Sequence, residues 1–472
     1  MMAKFVTTPV ARTKREVFAM PYTDPREIVD KSVMTTAQIV VIAITVLLNA
    51  MDGFDILSIA FASPGIAKEW HINQLGLGIV LSMELIGMAF GSVFLGGLAD
   101  KIGRRPTLLG CLFVMATGMI SATTASSPVQ LSIWRVLTGL GIGGMLSCTN
   151  AVVAEFSNNK WRSLCISIMV IGYPLGGGFG GLYASSLIAR YDWRAVFYFG
   201  AAATAVLLPT TFFLVPESVH WLTRKQPANA LDKVNRSLEK LGHAAIAALP
   251  EVHADERKKT LADIFSPALI GITLVVTSAY FLHIISFYFL LKWGPKIVVD
   301  MGFAASSGGR IVTMANFGGA AGGAAFGLLT SRLGLKPLTI GILALNAVSI
   351  AIFGHAPANL HSLNMLAVVV GFFGNAGVSG LYSIVAYAFP THVRATGTGF
   401  VIGIGRGGSV LSPWLAGYLL QTGATLPTVG LIMGAGSLLA AGVLILLRLN
   451  TDRPIVVASA KRTASGPEPS TA

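Results

Sequence analysis

Twelve apolar stretches, each long enough to cross a lipid bilayer, dominate this sequence. The hydrocarbon core of a bilayer is about 30 Å thick, so a membrane-spanning helix needs roughly 20 mostly apolar residues. The stretches lie near residues 36–61, 74–99, 106–124, 129–154, 163–189, 195–215, 267–292, 305–330, 337–354, 363–389, 395–420 and 426–447. Only 12% of the residues are charged, against roughly 25% in a soluble domain. The sequence predicts an all-α membrane protein with twelve transmembrane helices and excludes a soluble enzyme.

The positive charges of the loops predict the orientation. Of the 34 Lys and Arg residues, 26 fall in segments on the side of the N-terminus and 5, Lys292 among them, fall in the opposite loops. Because cytoplasmic loops carry the excess of positive charge, we expect both termini in the cytoplasm. The net charge of +13 follows from this bias and predicts no nucleic-acid binding. The first 30 residues contain no apolar run, so we expect the first helix, and no cleavable signal peptide, to direct insertion.

One long polar connection, residues 216–266, divides the helices into two groups of six. The predicted organisation is a cytoplasmic N-terminal segment, a six-helix bundle, a cytoplasmic central loop, a second six-helix bundle and a cytoplasmic tail, at residues 1–35, 36–215, 216–266, 267–447 and 448–472. Apolar residues recur at spacings of three and four between Ala228 and Leu241. This spacing favours a short amphipathic helix at the membrane surface.

The two halves repeat each other. The first half contains Gly96, Asp100, Lys101, Gly103, Arg105 and Pro106, and the positions 231 residues later are Gly327, Ser331, Arg332, Gly334, Lys336 and Pro337. Residues 155–162 match residues 387–394 at an offset of 232. Duplicated halves with a site at their interface are typical of secondary transporters. The predicted fold is therefore two pseudo-symmetric six-helix bundles around a central cavity.

Several of these motifs resemble a known family. Residues 96–105 (GGLADKIGRR) resemble the signature loop of the major facilitator superfamily, and residues 216–222 (PESVHWL) resemble its sixth-helix exit motif. Residues 52–55 (DGFD) and 394–406 (RATGTGFVIGIGR) resemble elements of its aromatic acid:H⁺ symporter family. The resemblance covers about residues 35–450. Ser331 departs from the pattern, because an acidic residue is frequent there, and the second-half gate is expected to lack that charge contact.

Six ionisable residues fall well inside the predicted spans: Asp52, Asp55, Glu84, Arg135, Arg310 and Arg406. A charge at the centre of a membrane helix costs about 2.5–3.5 kcal/mol on insertion scales. The six must therefore pair with one another or face a watery cavity. Inert buried ion pairs are one explanation, and the working parts of a transporter are the other.

Asp52 and Asp55 are three residues apart, so they share a helix face, and the helical rise places Arg135 within about one turn of them in depth. Two close carboxylates do not easily ionise together, so we expect this pair to carry a proton. The alternatives are a static clamp with Arg135 and a structural turn at Gly53. Glu84 is a further candidate for proton coupling, and Arg135 is a candidate for binding a substrate anion.

Three more residues are candidates at the same site. His283 lies 231 positions after Asp52 and is predicted to relay protons or contact substrate, unless it is a satisfied core histidine. Arg406, flanked by glycines, is expected to hold a substrate carboxylate in a bidentate fork. Its alternative role is pairing with Glu84. Arg310 is expected either to contact substrate or to line an outer vestibule.

Aromatic and charged side chains complete the predicted machinery. The candidates to wall an aromatic ligand are Phe54, Tyr173, Tyr288, Phe372 and Tyr382. Charged residues at inner helix ends are expected to exchange partners as the halves rock: Asp100, Arg104, Arg105, Glu155, Arg162, Arg332 and Arg394. The run at residues 139–144 (GLGIGG) lies inside a helix and indicates helix packing. We find no Walker A sequence, metal-ligand spacing or nucleophile–base pair, so we expect no enzyme, cofactor or metal.

The predicted function is proton-driven uptake of a small aromatic carboxylate, such as a hydroxybenzoate, by alternating access. The charges predict the anion and the proton, and the family resemblance implies the aromatic ring. We expect a monomer with both termini cytoplasmic in a bacterial inner membrane, with the substrate, protons and lipid as its partners. The alternatives are a proton-coupled efflux antiporter for drugs or other organic ions, a sugar-type facilitator and a non-transporting ligand sensor.

Overall fold

The computed structural model describes residues 24–250, 261–390 and 393–447. Its α-helices in chain order are α1 (Pro25–Lys31), α2 (Thr36–Trp70), α3 (Gln74–Ile102), α4 (Arg104–Thr123), α5 (Pro128–Phe156), α6 (Arg162–Arg190), α7 (Arg194–Leu214), α8 (Val219–Lys225), α9 (Ala230–Lys240), α10 (Ile270–Asp300), α11 (Ala305–Leu333), α12 (Leu335–Gly354), α13 (Leu360–Ala388), α14 (Arg394–Gln421) and α15 (Leu426–Ile445). A 3-10 helix, Leu261–Phe265, precedes α10.

The twelve long helices form the predicted membrane domain. Among the described residues, eleven helices are long and apolar enough to cross a membrane. The remaining predicted span, α14, has 28 residues and is long enough, but its glycines and Arg406 make it less apolar. The prediction of an all-α, twelve-helix membrane protein is confirmed.

The ends of the long helices define two sides of the molecule, here called the termini side and the distal side. The termini side is the side on which α2 begins, and it contains α1, α8 and α9. The distal side is the side on which α2 ends. It contains the short connections at residues 71–73, 124–127, 191–193, 301–304, 355–359 and 422–425.

Helix α2 continues to Trp70, well beyond its predicted end near residue 61. Pro64 lies inside the helix and has no N–H to donate to the carbonyl of Ala60. The hydroxyl of Ser63 donates to that carbonyl at 2.8 Å instead. The helix therefore passes through the proline with this carbonyl satisfied.

Helix α10 continues to Asp300, so Lys292 lies within it and not in an outer loop as predicted. The loop assignment of Lys292 was wrong because the helix goes on burying apolar residues after the lysine. Trp293, Ile297 and Val298 are all buried. Lys292 is itself fully buried, with 0% of its surface exposed.

The same helix pairs form in both halves. In the first half α3 packs on α5, α2 on α6 and α4 on α7, and in the second half α11 packs on α13, α10 on α14 and α12 on α15. Glycines allow the closest of these contacts. Methyl groups at Gly139 and Gly143 of α5 would collide with the backbone carbonyls of Glu84 and Met88 on α3. The glycine-rich run of α5 is therefore helix packing, as predicted.

The two bundles meet through α3 and α14, α6 and α11, and α2 and α10. Ser82 donates to the carbonyl of Val410 at 2.8 Å, and Thr313 donates to the carbonyl of Gly178 at 3.2 Å. Within the described ranges, every cross-bundle hydrogen bond lies in the distal half or at Arg406, near the middle of α14. These hydrogen bonds therefore join the bundles on the distal side and near the middle of α14.

The central loop covers the termini side of the first bundle. Helix α9 occupies the segment for which an amphipathic helix is predicted, and its Val234 and Leu238 are buried. Helix α8 packs against both α9 and α1. Of the predicted terminal segments, residues 1–23 and 448–472 lie outside the described residues.

Candidate functional site: a charge cluster and a tyrosine cluster

The DGFD element lies where α2 crosses α6. A methyl group at Gly53 would collide with the backbone carbonyl of Tyr173 on α6, so only glycine allows this crossing. Asp52 and Asp55, on either side of it, have no exposed surface. None of their carboxylate oxygens has a hydrogen-bond partner. Burying a charge without a donor is costly, so these carboxyl groups are suited to carrying a proton.

Asp55 belongs to a buried group of four charges, here called the charge cluster: Asp55, Glu84, Arg135 and Lys292. Arg135 donates from Nη2 to the Glu84 carboxylate and, at 2.9 Å, to the backbone carbonyl of Asp55. Lys292 Nζ lies 3.4 Å from Glu84 Oε2 and donates to the backbone carbonyl of Ile56. Two carboxylates and two cations cancel formally, which limits the cost of burying them.

The position of Arg135 does not fit two of its predicted roles, the clamp with an aspartate and the binding of a substrate anion. It lies beside Asp55, as the depth argument predicts, but its charge partner is Glu84, so the Asp–Arg clamp is wrong. Its guanidinium is completely buried and lies 5.2 Å from the centre of the Phe197 ring. The side chain is therefore enclosed by protein and does not reach a cavity where it would hold a substrate anion.

Four tyrosines form a second group near the middle of α14, here called the tyrosine cluster: Tyr173, Tyr280, Tyr288 and Tyr382. The rings of Tyr280 and Tyr382 stack with their centroids 5.6 Å apart and their hydroxyl oxygens 3.2 Å apart. Tyr173 and Tyr288 lie close enough for their hydroxyls to interact. The charge of Arg406 acts on both Tyr280 and Tyr288. These residues place aromatic faces and hydroxyl groups around a cation.

Tyr280 was missed by sequence reasoning, although two signals could have indicated it. It precedes Tyr288 by eight residues, about 2.2 helical turns, which places both within one broad face of α10. Gly405 on α14 lies directly against its ring, and a methyl group there would collide with it. The glycines beside Arg406 therefore leave room for an aromatic ring and also let the backbone of a neighbouring helix approach closely.

Arg406 lies between the bundles. Its Nη1 donates to the carbonyl of Met88 at 3.0 Å and to the hydroxyl of Ser92, both on α3. Both hydrogen bonds use the same nitrogen, which leaves Nη2 and Nε for a ligand. Arg406 is also close enough to Asp52 for their charges to interact. Its predicted alternative partner, Glu84, is bonded to other residues, so that pairing is wrong.

His283 lies in the core of the second bundle. Its Nδ1 is 2.9 Å from the hydroxyl of Ser437 on α15, and its Nε2 is 3.0 Å from the carbonyl of Gly374 on α13. It has no exposed surface. The repeat offset predicted its helix and depth but not its face, because α10 turns this position away from α2. A relay position opposite Asp52 is contradicted.

Phe54, predicted to wall the ligand, packs inside the first bundle. Its ring meets Phe199 edge-on at 5.1 Å and lies 6.4 Å from Phe61. Only 2% of its surface is exposed. Phe372 contacts its neighbour Phe373 on α13 at 5.3 Å. Tyr173, Tyr288 and Tyr382 are the members of the predicted aromatic set that lie in the tyrosine cluster.

The predicted gating charges of the first half form a network on the termini side. Arg104 donates to Asp100 at 2.7 Å and to Glu155 at 2.8 Å. Arg105 donates to the carbonyl of Phe212 at 2.7 Å and covers its ring. These bonds stay within one bundle, so the network stabilises the first half and does not latch it to the second in this conformation.

The remaining gating candidates, Arg162, Arg332 and Arg394, lie on the same side, and Arg310, a candidate for substrate contact, lies at the distal end. Arg162 pairs with Asp30 at 2.5 Å. Arg394 donates to the carbonyl of Phe389 at 3.3 Å. Arg332 is exposed on the termini side, and Arg310 is exposed near the distal start of α11. The side chain of Ser331, at the predicted departure in the second loop, lies outside the described part.

His220 occupies the basic position of the exit motif, outside the membrane-spanning segments. Its Nε2 lies 3.3 Å from Asp30 Oδ1. Burial lowers the pKa of His220 below its ordinary value of 6.5, although the carboxylates of Asp30 and Glu155 oppose the shift. The histidine is therefore a weaker base than an exposed one.

Two pseudo-symmetric helical bundles that enclose a polar site between them define a secondary transporter. The family model for the Major Facilitator Superfamily matches residues 42–358 and 276–470. The chain belongs to the major facilitator superfamily, and it is a transporter rather than an enzyme.

Three relatives are similar along most of their length. The 4-hydroxybenzoate transporter PcaK of Pseudomonas putida is 28% identical, over 87% of this chain and 95% of that protein. The gallate transporter of Pseudomonas putida is 26% identical, over 89% and 93%. The benzoate transport protein of Acinetobacter baylyi is 27% identical, over 84% and 86%. These relatives support membership of the aromatic acid:H⁺ symporter family, which the helix motifs indicate.

Solved structures share the fold at lower identity. The crystal structure of a D-xylose-proton symporter superimposes with a TM-score of 0.69 at 16% identity, covering 86% of this chain and 97% of that one. The inward-open conformation of the xylose transporter XylE from Escherichia coli gives a TM-score of 0.68 at 15% identity, covering 88% and 98%. They establish the fold.

Proposed function

We propose that this protein imports a small aromatic carboxylate, such as a hydroxybenzoate, together with protons by alternating access. The names of the relatives support an aromatic acid as the substrate class. Uptake, proton coupling and a preference for ring hydroxyl groups are the finer parts of the proposal. They are supported by the charges and tyrosines of the cavity.

The observation that carries the proposal is the position of Arg406 beside the tyrosine cluster. A guanidinium with two nitrogens left over binds a carboxylate in a bidentate fork. The stacked pair of Tyr280 and Tyr382 offers an aromatic face and two hydroxyls, and the charge of Arg406 acts on Tyr280. A benzoate presents this combination of an anion and a flat ring, and ring hydroxyl groups add partners for the tyrosines.

Anion binding and proton binding support each other at Arg406 and Asp52. Arg406 is the cation whose charge acts on Asp52 among the described residues. When a substrate carboxylate occupies Arg406, less of that charge is left to stabilise an ionised Asp52. Substrate binding then favours a proton on Asp52, and the cavity becomes electrically neutral when both are bound. A neutral cavity is the one that can close, because an unpaired charge is costly to enclose.

The loop charges support a cytoplasmic termini side, in the inner membrane of a bacterium. With that orientation, the distal contacts join the bundles on the outer side, as an importer requires when it releases substrate to the cell interior. The chain is expected to work as a monomer, because one chain contains both bundles and the whole site.

Uptake of labelled 4-hydroxybenzoate into proteoliposomes tests the proposal. Accumulation should require an inward proton gradient and should disappear on adding a protonophore. Benzoate should compete with 4-hydroxybenzoate, and glucose should not. If no benzoate in a panel accumulates in vesicles of folded protein, the proposal is wrong, and the same vesicles would then be used for proton-driven efflux of organic cations.

A further inference from the structure

The charge cluster crosses the interface between the bundles through one residue. Asp55, Glu84 and Arg135 belong to the first bundle, on α2, α3 and α5, whereas Lys292 belongs to the second, on α10. Lys292 reaches Glu84 and the backbone carbonyl of Ile56 from the other side of the interface. Because these contacts lie in the distal half, opening of the distal side must separate them.

Separation of the bundles changes the charge balance of Glu84. With Lys292 in place, each oxygen of the Glu84 carboxylate has a cation, Arg135 at Oε1 and Lys292 at Oε2. Without Lys292, Oε2 loses its cation. Among the described residues outside the charge cluster, the groups on which the charge of Glu84 acts are Tyr173 on α6 and Tyr288 on α10, and neither is a cation at neutral pH. A proton is the simplest replacement for the missing ammonium group.

We propose that the Lys292 ammonium group and a transported proton occupy Glu84 in alternation. When the distal side opens, Lys292 withdraws with α10, and the Glu84 carboxylate takes one proton from water on that side. When the distal side closes, Lys292 returns, and the carboxyl group gives that proton to water in the cavity on the termini side. One proton is bound and one is released per cycle, and no other reactant is needed. This inference rests on the proposed proton-coupled uptake and assigns the step that couples it to the motion.

Lys292, rather than Arg135, is the cation suited to leave Glu84 and return to it. Arg135 lies in the same bundle as Glu84, so it keeps its contact when the bundles separate. A lysine ammonium is a compact charge on a flexible stem, which can leave one acceptor and return to it. The bond to Ile56 places the ammonium against α2 whenever the distal side is closed.

The substitution Lys292→Met tests the alternation with two assays in proteoliposomes. Each coupled proton lets a gradient of one pH unit sustain about a tenfold accumulation of substrate. The variant should lose the tenfold share that Glu84 contributes, since its Glu84 has no competitor to displace the proton. It should still exchange labelled for unlabelled substrate at equal pH. Lys292→Arg, which keeps the charge, should regain part of the accumulation.

The matched control is Lys296→Met. Lys296 lies one turn further along α10 and pairs with Asp300 on its own helix, so it makes no cross-bundle contact of this kind. It should accumulate and exchange substrate like the wild type. Full uphill accumulation by Lys292→Met would overturn the inference, as would the loss of accumulation in Lys296→Met.

Lys292→Met leaves a buried negative charge, so the protein's folding needs its own check. The double variant Lys292→Met/Glu84→Gln keeps the cluster formally neutral and should fold, exchange substrate and accumulate about tenfold less of it per pH unit than the wild type. Wild-type accumulation by this folded double variant would also overturn the inference. If the wild type itself exchanges substrate but never accumulates it, the proposed proton coupling is wrong, which is a different result from any of these.

Discussion

The hydroxyl oxygens of Tyr280 on α10 and Tyr382 on α13 lie 3.2 Å apart, and their rings stack at 5.6 Å. The two differ in exposure, because Tyr280 is 4% exposed and Tyr382 is 41% exposed. Tyr280 is therefore the buried support, and Tyr382 is the member of the pair whose surface a substrate can reach. This difference makes Tyr382 the better position for testing what the tyrosine cluster recognises.

We expect Tyr382→Phe to weaken uptake of hydroxylated benzoates while leaving benzoate itself nearly unchanged. A hydrogen bond contributes about 0.5–1.5 kcal/mol net, so KM for 4-hydroxybenzoate should rise by about 2- to 12-fold. The ring face is retained in the variant. Tyr183→Phe is the control, because Tyr183 is exposed on α6 and packs against Phe199. An equal rise in KM for both substrates would contradict a role for the hydroxyl.

Replacing Arg406 tests the anion site. Loss of one partner of a buried charged pair costs about 2–5 kcal/mol, so Arg406→Gln should raise KM at least about 30-fold or abolish uptake. Arg406→Lys should recover little of the affinity, because lysine lacks the bidentate fork. The control is Arg310→Gln at an exposed position near the distal end. If Arg310→Gln has the larger effect, the carboxylate is held in the vestibule.

A substitution at Gly53 tests the helix crossing between Asp52 and Asp55. Gly53→Ala places a methyl group against the backbone carbonyl of Tyr173, which cannot move without shifting α6. Overpacking of this kind costs about 1–3 kcal/mol, so the melting temperature in detergent should fall. Gly110→Ala is the control, because nothing lies within 4 Å of a methyl group there. That variant should be as stable as the wild type or slightly more stable.

Much of this arrangement is predictable from the sequence because apolar length, charge bias and repeat spacing are one-dimensional signals. They predict the twelve helices and the two bundles, and the depth argument brings Arg135 beside Asp55. Depth does not specify which face of a helix a residue occupies. Phe54 and His283 were therefore misplaced, since both turn into the cores of their own bundles.

The misassignment of Lys292 has a different cause. A lysine at the end of an apolar stretch ordinarily indicates the membrane surface, and nothing local distinguishes one whose charge partner lies on a distant helix. Glu84 supplies that partner from 208 residues away along the chain. Only the packing of α10 against α2 and of α14 against α3 brings the two together. For this reason, charge pairs between the two bundles are the part of the site that the sequence predicts least well.

His220 predicts a pH dependence of stability on the termini side. Burial lowers the pKa of His220 below 6.5, so the unfolded chain binds this proton more readily than the folded protein does. Stability contributed by the neutral histidine is therefore present above pH 6.5 and is lost as the pH falls below that value. On acidification from about pH 7.5 to about pH 5.5, the melting temperature should fall less for His220→Gln than for the wild type.

The control for this measurement is His355→Gln, at an exposed position on the distal side. It should follow the wild-type melting curve at every pH. The carboxylate of Asp30 lies 3.3 Å from His220 and favours its protonated form, so Asp30→Asn should make the acid sensitivity steeper. Identical pH profiles for the wild type and His220→Gln would show that other groups control stability in this range.

A cross-link on the distal side tests whether transport requires that side to open. Gln74 on α3 is half-buried and Asp300 on α10 is exposed, and the Gln74 side-chain amide lies 3.5 Å from the Asp300 carboxylate across the bundle interface. Joining Gln74→Cys to Asp300→Cys with a short cleavable thiol reagent should stop uptake and exchange, and cleavage should restore both. Each single cysteine variant, treated identically, is the control. Exchange that continues through a complete cross-link would mean that the distal contacts do not close the outward path, because substrate would still be crossing while the bundles are held together there.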